Sequence, residues 1–153
     1  MSSRLQEIRA ELYETLPTRE GCDYRIWLGL DHATIAAECG VIVVTRVRYH
    51  ADRTFDPVEQ GQLGGTLSVV IEALAVDREA VVDLVAWPLR RPDKVATAVH
   101  CVDTLGSWRV DATPFEAAPL KVFRHPEGWL RGGCSGVGRR GAQGGAAGAA
   151  AGR

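Results

Sequence analysis

The chain has 153 residues, of which 46% are hydrophobic and 24% are charged, and its formal net charge is -1. This length allows one globular domain, and the apolar content is sufficient for a core, which excludes general disorder. The near-neutral charge argues against a generic polyanion-binding protein, because such proteins carry a clear basic excess. A local basic patch is still compatible with this net charge.

The N-terminal segment lacks the apolar run of a signal peptide, and no stretch approaches about 18 uninterrupted apolar residues. We therefore expect a cytoplasmic protein that does not enter a membrane. The cysteines are widely spaced, and free thiols in a reducing compartment are favoured over disulfides. They are Cys22, Cys39, Cys101 and Cys134.

Two helices and an intervening strand are predicted at the start of the chain. Ser3–Leu16 carries apolar residues at helical spacing and begins at a capping-box serine. Tyr24–Leu30 is a short aromatic and aliphatic run, which we interpret as a strand. Asp31 is then the N-cap of a short helix over 32–39, and Gly40 follows its last residue.

A strand and a hairpin are predicted next. Val41–Tyr49 is rich in β-branched residues and predicts the clearest strand, whereas the turn-rich segment Ala51–Gly65 predicts a loop or a flap. Ser68–Val76 fits both helical spacing and a strand. Because a short polar turn separates it from a second apolar run, Ala80–Trp87, we interpret the two runs as a β-hairpin.

Arg90–Leu105 predicts a second main helix, with Pro92 in its first turn and Gly106 as its C-cap. Basic residues at the start of this helix are unusual, because the helix dipole is positive at that end. Three shorter elements follow: a loop over 108–118, a strand over 120–124 and a helical turn over 126–130.

These elements together predict an α+β fold, a small antiparallel sheet of three to five strands packed by the helices Ser3–Leu16 and Arg90–Leu105. We expect Trp87 and Trp129 to pack at the margins of the core. The predicted core residues are Leu12, Val43, Val47, Val70, Leu74, Val82, Leu84, Val95, Val99 and Phe123.

Residues 1–137 are predicted to form a single domain, followed by a disordered tail over 138–153. From Gly138 onward the chain contains only Gly, Ala and Arg apart from Gln143, so it lacks apolar anchors. Because these three residue types have GC-rich codons, we interpret the tail as translation in a shifted reading frame or as a degenerate low-complexity end. Under the first interpretation the domain lacks a final strand.

Two segments carry a resemblance to other proteins. Asp83–Val99 (DLVAWPLRRPDKVATAV) and Pro119–Val137 (PLKVFRHPEGWLRGGCSGV) resemble uncharacterised proteins from bacterial prophage and plasmid regions. The similarity extends to about Val137, after which those proteins continue into an apolar strand and this chain does not. The resemblance implies an accessory protein of a mobile genetic element and brings no known activity or catalytic residue.

Neither a metal site nor a phosphate-binding loop is predicted. The chain has no Cys-x-x-Cys pair, although His32 and Cys39 could lie two turns apart on one helix face. The glycine-rich segment 61–65 is not followed by Gly-Lys-Ser/Thr, so a simple turn is favoured and no cofactor is expected. Two carboxylate pairs lie in polar turns, where solvated side chains are expected: Asp52 with Asp56, and Asp77 with Glu79.

The basic residues give the first binding hypothesis. If they converge near Tyr49, Trp87 or Trp108, they could bind a nucleic-acid backbone while the aromatic rings stack bases. The alternative is an ordinary solvated surface, balanced by 19 acidic residues. The candidate nucleic-acid-binding residues are Arg46, Arg48, Arg90, Arg91, Lys94, Lys121 and Arg124.

A thiol-dependent enzyme is a further hypothesis. Cys134 lies among glycines nine residues after His125, and Asp103 or Glu127 could orient the imidazole. A loop leading into a strand explains the same glycines. We rank a non-catalytic interaction module first, nucleic-acid binding second and the thiol enzyme third, with the identity of any protein partner open.

Overall fold

The computed structural model describes residues 3–14, 18–59, 62–75, 77–102, 104–106, 122–134 and 137–139. The helices in these ranges are α1 (Ser3–Glu14), α2 (Arg19–Leu28), α3 (His32–Cys39) and α4 (Pro126–Arg131). The strands are β1 (Ile42–Tyr49), β2 (Phe55–Pro57), β3 (Thr66–Leu74), β4 (Val81–Pro88), β5 (Ala96–Thr97), β6 (Thr104–Leu105), β7 (Val122–Phe123) and β8 (Val137–Arg139).

The main sheet contains five antiparallel strands in the order β2-β1-β3-β4-β5. It curls, because an isolated bridge joins Thr54, just before β2, to Thr97 on β5 at the opposite edge. The backbone N–H of Thr97 also donates to the carbonyl oxygen of Arg53 over 3.0 Å. The predicted α+β fold with a small antiparallel sheet is confirmed.

Helix α1 covers one face of this sheet. Its buried residues Leu5, Ile8 and Leu12 form one cluster with apolar side chains from all five strands. Phe55 on β2 and Ala96 on β5 belong to the same cluster, so α1 packs inside the curl.

The other face of the sheet is covered by α2, α3, α4 and the strands β6 and β7. Side chains such as Ile42 on β1 and Val85 on β4 share a second apolar cluster with residues of these elements. Because β3 and β4 are covered on both faces, nearly all of their residues are buried instead of alternating with exposed ones. Trp87 and Trp129 are fully buried in this second cluster, so the prediction that they lie at the margins of the core is wrong.

The ten predicted core residues are well placed. Eight are buried, and Val82 and Val99 are half-buried against the two clusters.

A second sheet has the order β6-β8-β7, in which β8 is antiparallel to β6 and parallel to β7. Gly138 on β8 is buried beside Trp129, where an added Cβ would come within 2.8 Å of the tryptophan Cβ.

The strand β8 includes Gly138 and Arg139, two residues that the sequence assigns to the tail. The rest of that segment, 140–153, lies outside the described residues, as does the predicted loop over 108–118. The predicted strand over 120–124 is observed as the pair Val122–Phe123, and the predicted helical turn is observed as α4.

The prediction of a strand over Tyr24–Leu30 is wrong, because these residues belong largely to helix α2. The Thr18 hydroxyl accepts a hydrogen bond from the N–H of Gly21 over 3.0 Å and caps the helix start. Gly29 ends the helix in the left-handed conformation, with φ at 71°. A capped helix that presents Tyr24 to the core explains the aromatic run as well as a strand does.

The prediction of a helix over Arg90–Leu105 is also wrong. The described part of this segment contains two turns and the short strands β5 and β6. Hydrogen bonds from Arg91 N–H to Pro88 O and from Lys94 N–H to Arg91 O, of 3.0 and 2.9 Å, form the turns. The basic residues therefore do not lie at a helix N-terminus, and their apparent conflict with a helix dipole disappears.

A buried carboxylate holds the end of this segment. Asp83 on β4 is fully buried, and its Oδ1 accepts from the N–H groups of Leu84, Ala98 and Val99 at 2.8 to 3.0 Å. Its Oδ2 accepts from the N–H of Cys101 at 2.7 Å. These bonds give residues 98–101 partners that compete with a helical hydrogen-bond pattern.

A second buried carboxylate ties α1 to the sheet. Glu72 on β3 accepts hydrogen bonds from the Tyr13 hydroxyl at 2.5 Å and from Arg9 Nε at 3.0 Å. Its other oxygen lies against Gly40, where an added Cβ would come within 2.0 Å of Oε1. Helix α1 and the glycine that ends α3 thus both pack against Glu72.

Among the described residues, no helix is both long enough and apolar enough to cross a lipid bilayer.

Candidate nucleic-acid interface

A cleft of about 1070 Å³ opens at one end of the curled sheet. The end of β1, the start of β3 and the end of β4 meet there, because these three strands are neighbours and antiparallel. Three segments line the cleft: residues 46–53 in part, 65–67 and 88–96 in part. We call this feature the basic cleft.

The first wall of the basic cleft comes from β1 and the turn that follows it. Arg46 is exposed, and its Nη1 donates to the carbonyl oxygen of Gly65 over 3.3 Å. The turn His50–Arg53 is closed by the Arg53 N–H and the His50 carbonyl oxygen at 3.1 Å. Arg53 has a positive φ of 69°, and the hydrogen bond from Thr97 to its carbonyl oxygen places this turn beside β5.

Asp52 organises the same turn. Its Oδ1 accepts from the hydroxyl of Thr54 at 2.6 Å and from the backbone N–H of Thr54 at 3.0 Å. These two hydrogen bonds, the hydroxyl first, lower the pKa of Asp52 because they stabilise the carboxylate. Asp52 therefore stabilises the turn. This agrees with the prediction from the sequence that its carboxylate is solvated in a polar turn.

The second wall comes from the turns after β4. Arg90, Arg91 and Lys94 are exposed and line the cleft. The Nε atom of Arg91 lies 3.5 Å from Oδ1 of Asp93, a solvent-exposed ion pair of small energetic value. The backbone hydrogen bonds of these turns, and not a helix, set the spacing of the three cations.

The charge of the lining is strongly one-sided. Among the residues that the structure describes, five positively charged side chains and one carboxylate, Asp93, line the cleft, although the whole chain has a net charge of -1. His50 also lines it, and its Nε2 lies 2.6 Å from Oδ2 of Asp56, which in turn contacts Arg4. The five cations are Arg46, Arg53, Arg90, Arg91 and Lys94.

The floor of the cleft is apolar. Leu67 and Leu89 are half-buried, and the N–H of Leu89 donates to the carbonyl oxygen of Leu67 over 3.2 Å, which keeps the two residues adjacent. Pro88 and Val95 also line the cleft and are buried.

Tyr49 also lines the cleft, and its hydroxyl donates to Ser68 Oγ at 2.7 Å. Burial raises the pKa of Tyr49 to about 12.

The structure brings together four of the seven candidate residues, namely Arg46, Arg90, Arg91 and Lys94. Arg48 is exposed on β1 opposite Asp56 and does not line the cleft. Arg124 is exposed after β7 and does not line it either, and Lys121 lies outside the described residues.

Of the three aromatic residues expected near these cations, Tyr49 lines the cleft. Trp87 is buried in the core, and Trp108 lies outside the described residues. Sequence reasoning missed Arg53 and His50, whose positions depend on the turn after β1. The Asp-x-Thr spacing of Asp52 and Thr54 is the signal for that turn.

The predicted thiol site does not form an accessible nucleophile. Cys134 is fully buried, and so is Cys39, whose pKa is raised by burial and, to a lesser extent, by Cys134. Glu127, the proposed orienting residue, accepts a hydrogen bond from the Tyr24 hydroxyl at 3.1 Å instead. Asp103, the alternative orienting residue, lies outside the described residues. The four cysteines form no disulfide, as expected.

The other candidate residues that the structure describes form turns and not a reactive or metal-binding site. Asp77 accepts hydrogen bonds from the N–H groups of Glu79 and Ala80, which lower its pKa, so it closes the β3–β4 hairpin. Within the described part of the chain, no three His, Cys, Asp or Glu side chains cluster as metal ligands would. No family model, curated protein or solved structure matches this chain.

Proposed function

We propose that this protein binds nucleic acid in the basic cleft. The observation that carries the proposal is the convergence of five permanent cations and one carboxylate around a single concave surface. Such an arrangement concentrates positive potential where a phosphate backbone can enter, since low-dielectric walls focus the field. Three of the arginines are exposed, so their guanidinium groups can reach phosphate oxygens.

The convergence of cations from separate chain segments distinguishes the basic cleft from an ordinary solvated surface. On a typical surface, acidic and basic side chains are interspersed, as Arg4 and Glu7 are on α1. In the basic cleft, the cations come from two distant chain segments, 46–53 and 90–94, and they outnumber the described carboxylate of the lining, Asp93, five to one. The proposal therefore favours the second of the hypotheses drawn from the sequence, and it is compatible with a non-catalytic module.

The test is fluorescence anisotropy of labelled oligonucleotides titrated with the full chain at low and moderate salt. Non-specific binding of this kind has dissociation constants of about 10⁻⁴ to 10⁻⁶ M at physiological salt. Each phosphate contact contributes a slope of about -0.7 to -0.9 in log K against log salt. Three to five contacts by the cleft cations therefore give a slope of roughly -2 to -4.5.

A matched pair of variants locates the binding surface. Arg46→Gln removes a cleft cation and is expected to weaken binding and reduce the salt slope by about 1. Arg48→Gln removes a cation two residues away on the same strand but outside the cleft, and it is expected to leave both quantities unchanged. Equal effects of the two variants, or no binding at either salt concentration, would overturn the proposal.

The role in a mobile genetic element remains a proposal that the resemblance alone supports. A cytoplasmic location and a protein partner likewise remain predictions. The thiol enzyme is the least favoured candidate, because the proposed nucleophile Cys134 is fully buried and a substrate cannot reach it.

A further inference from the structure

We infer that the basic cleft selects single-stranded over double-stranded nucleic acid, with the apolar floor receiving unpaired bases. This inference rests on the proposed function and adds to it the class of ligand.

The floor is suited to base surfaces and poorly suited to phosphates. Leu67 on β3 is the register partner of Arg46 on β1, and its carbonyl oxygen accepts a hydrogen bond from Leu89 N–H. Arg90 and Arg91 follow Leu89 directly in the chain, so across the neighbouring strands the two half-buried leucines come between Arg46 and these two arginines. Burying a phosphate against aliphatic side chains would remove its hydration without replacing it by hydrogen bonds, which is unfavourable. Burying the face of a base there removes apolar surface from water, which is favourable.

A duplex cannot use this floor. Its bases are paired and stacked inside a convex cylinder, so their faces are covered and only their edges are accessible in the grooves between the sugar-phosphate backbones. It would therefore contact the cations on the walls and leave the leucines uncovered. A single strand can rotate its bases toward the floor while its phosphates reach the walls, the arrangement used by grooves that bind single strands.

The size and rigidity of the cleft agree with a short single-stranded segment. Its volume of about 1070 Å³ slightly exceeds the usual range of small-molecule sites, about 300–1,000 Å³. Its floor is held by the β1–β3–β4 ladder and by the Leu89–Leu67 hydrogen bond, so the apolar surface is formed before a ligand binds. The Tyr49 hydroxyl is held by Ser68, which fixes the ring at the cleft edge.

The experiment compares three labelled probes on the unmodified full chain: an oligonucleotide, the same sequence as a duplex, and the same strand with its central bases removed to leave abasic sites. We expect the intact strand to bind roughly tenfold more tightly than the abasic strand, because the abasic strand loses the apolar contact between bases and the two leucines. The salt slopes of these two probes should be equal, because their phosphates are the same.

A pair of leucine variants assigns the base contribution to the floor. Leu89→Ala is expected to reduce the affinity for the intact strand and to leave the affinity for the abasic strand unchanged. Leu63→Ala is the control, because Leu63 is 96% exposed and does not line the cleft. If Leu89→Ala proves unfolded by circular dichroism, Leu67→Ala replaces it, and the comparison of probes on the unmodified chain still decides the question.

The outcomes separate the two proposals. Equal affinity for intact and abasic strands, or tighter binding of the duplex, would overturn the inference and leave nucleic-acid binding in place. Failure of all three probes to bind would overturn the proposed function, and the inference with it.

Discussion

Replacing Asp83 with alanine tests how strongly one carboxylate holds the segment after β4. The side chain is fully buried and accepts hydrogen bonds from four backbone N–H groups. The N–H of Ala98 also donates to the carbonyl oxygen of Leu84 over 3.0 Å, so it keeps an acceptor in the variant. The bonds from Val99 and Cys101 are the long-range contacts that the substitution removes.

The expected loss of stability follows from these two bonds. A hydrogen bond to a charged group contributes about 1.5–3 kcal/mol. We use the lower value because Cys101 is exposed to water and because removal of the carboxylate also relieves its desolvation. Two bonds at about 1.5 kcal/mol give a loss of about 3 kcal/mol in the free energy of unfolding.

Urea unfolding followed by tryptophan fluorescence measures this loss, since Trp87 and Trp129 are buried. With an m-value of about 1–3 kcal/mol per molar, the midpoint should fall by roughly 1–3 M. Asp83→Asn keeps one acceptor oxygen and should lose less. Asp77→Ala, in an exposed turn with two backbone hydrogen bonds, should have a smaller effect. A loss below about 1 kcal/mol for Asp83→Ala would refute the reasoning.

Three further predictions concern the core and its edges. Gly40→Ala should destabilise the protein by at least about 1 kcal/mol in urea unfolding, because φ is 63° and the new Cβ would meet the Glu72 carboxylate. The pKa values of the three tyrosines are raised, chiefly by burial, so tyrosinate absorbance should rise at higher pH in the native protein than in urea. Because the unfolded chain loses these protons first, stability should fall between about pH 10 and 12, and identical native and denatured titrations would contradict the assignment. A thiol reagent should modify two cysteines in the native protein, and the other two only after unfolding; rapid reaction of a buried thiol would count against its placement in the core. The exposed thiols are Cys22 and Cys101, and the buried ones are Cys39 and Cys134.

The hairpin shows what local sequence can predict. Ser68–Val76 fits a helix and a strand equally well by spacing, but the neighbouring run Ala80–Trp87 and the polar turn between them decide for two strands. The structure closes this turn with Asp77 and with a hydrogen bond from Ala75 N–H to Ala80 O at 2.8 Å. Local pattern and tertiary packing therefore favour the same structure here.

The segment after β4 shows why local sequence fails elsewhere. The apolar spacing over Arg90–Leu105 fits a helix, but the acceptors for its backbone N–H groups come from Asp83, which is distant enough in sequence to give no local signal. Tertiary hydrogen bonds therefore override helical propensity. Similarly, the burial of Trp87 requires α2 and α4 to cover the outer face of the sheet.

The basic cleft was partly predictable. Alternation along β1 identifies Arg46 as exposed, and charge identifies Arg90, Arg91 and Lys94 as candidates. Their convergence depends on strand order, because β3 must lie between β1 and β4 with both neighbours antiparallel to bring the two charged ends together. The same order leaves Arg48 outside the cleft, a distinction that its sequence position two residues from Arg46 does not reveal.

The position of α1 inside the curled sheet has a consequence for synthesis on the ribosome. The helix has 12 residues and is therefore marginal in isolation, since isolated helices shorter than about 12–15 residues are rarely stable. Its partners include Glu72, 63 residues from Arg9, and apolar side chains as late as Ala98. Because α1 precedes the strands β1 to β5 in the chain, it is translated before them and cannot dock until they have emerged. Until then, its apolar face of Leu5, Ile8 and Leu12 is the surface that a chaperone on the nascent chain would meet.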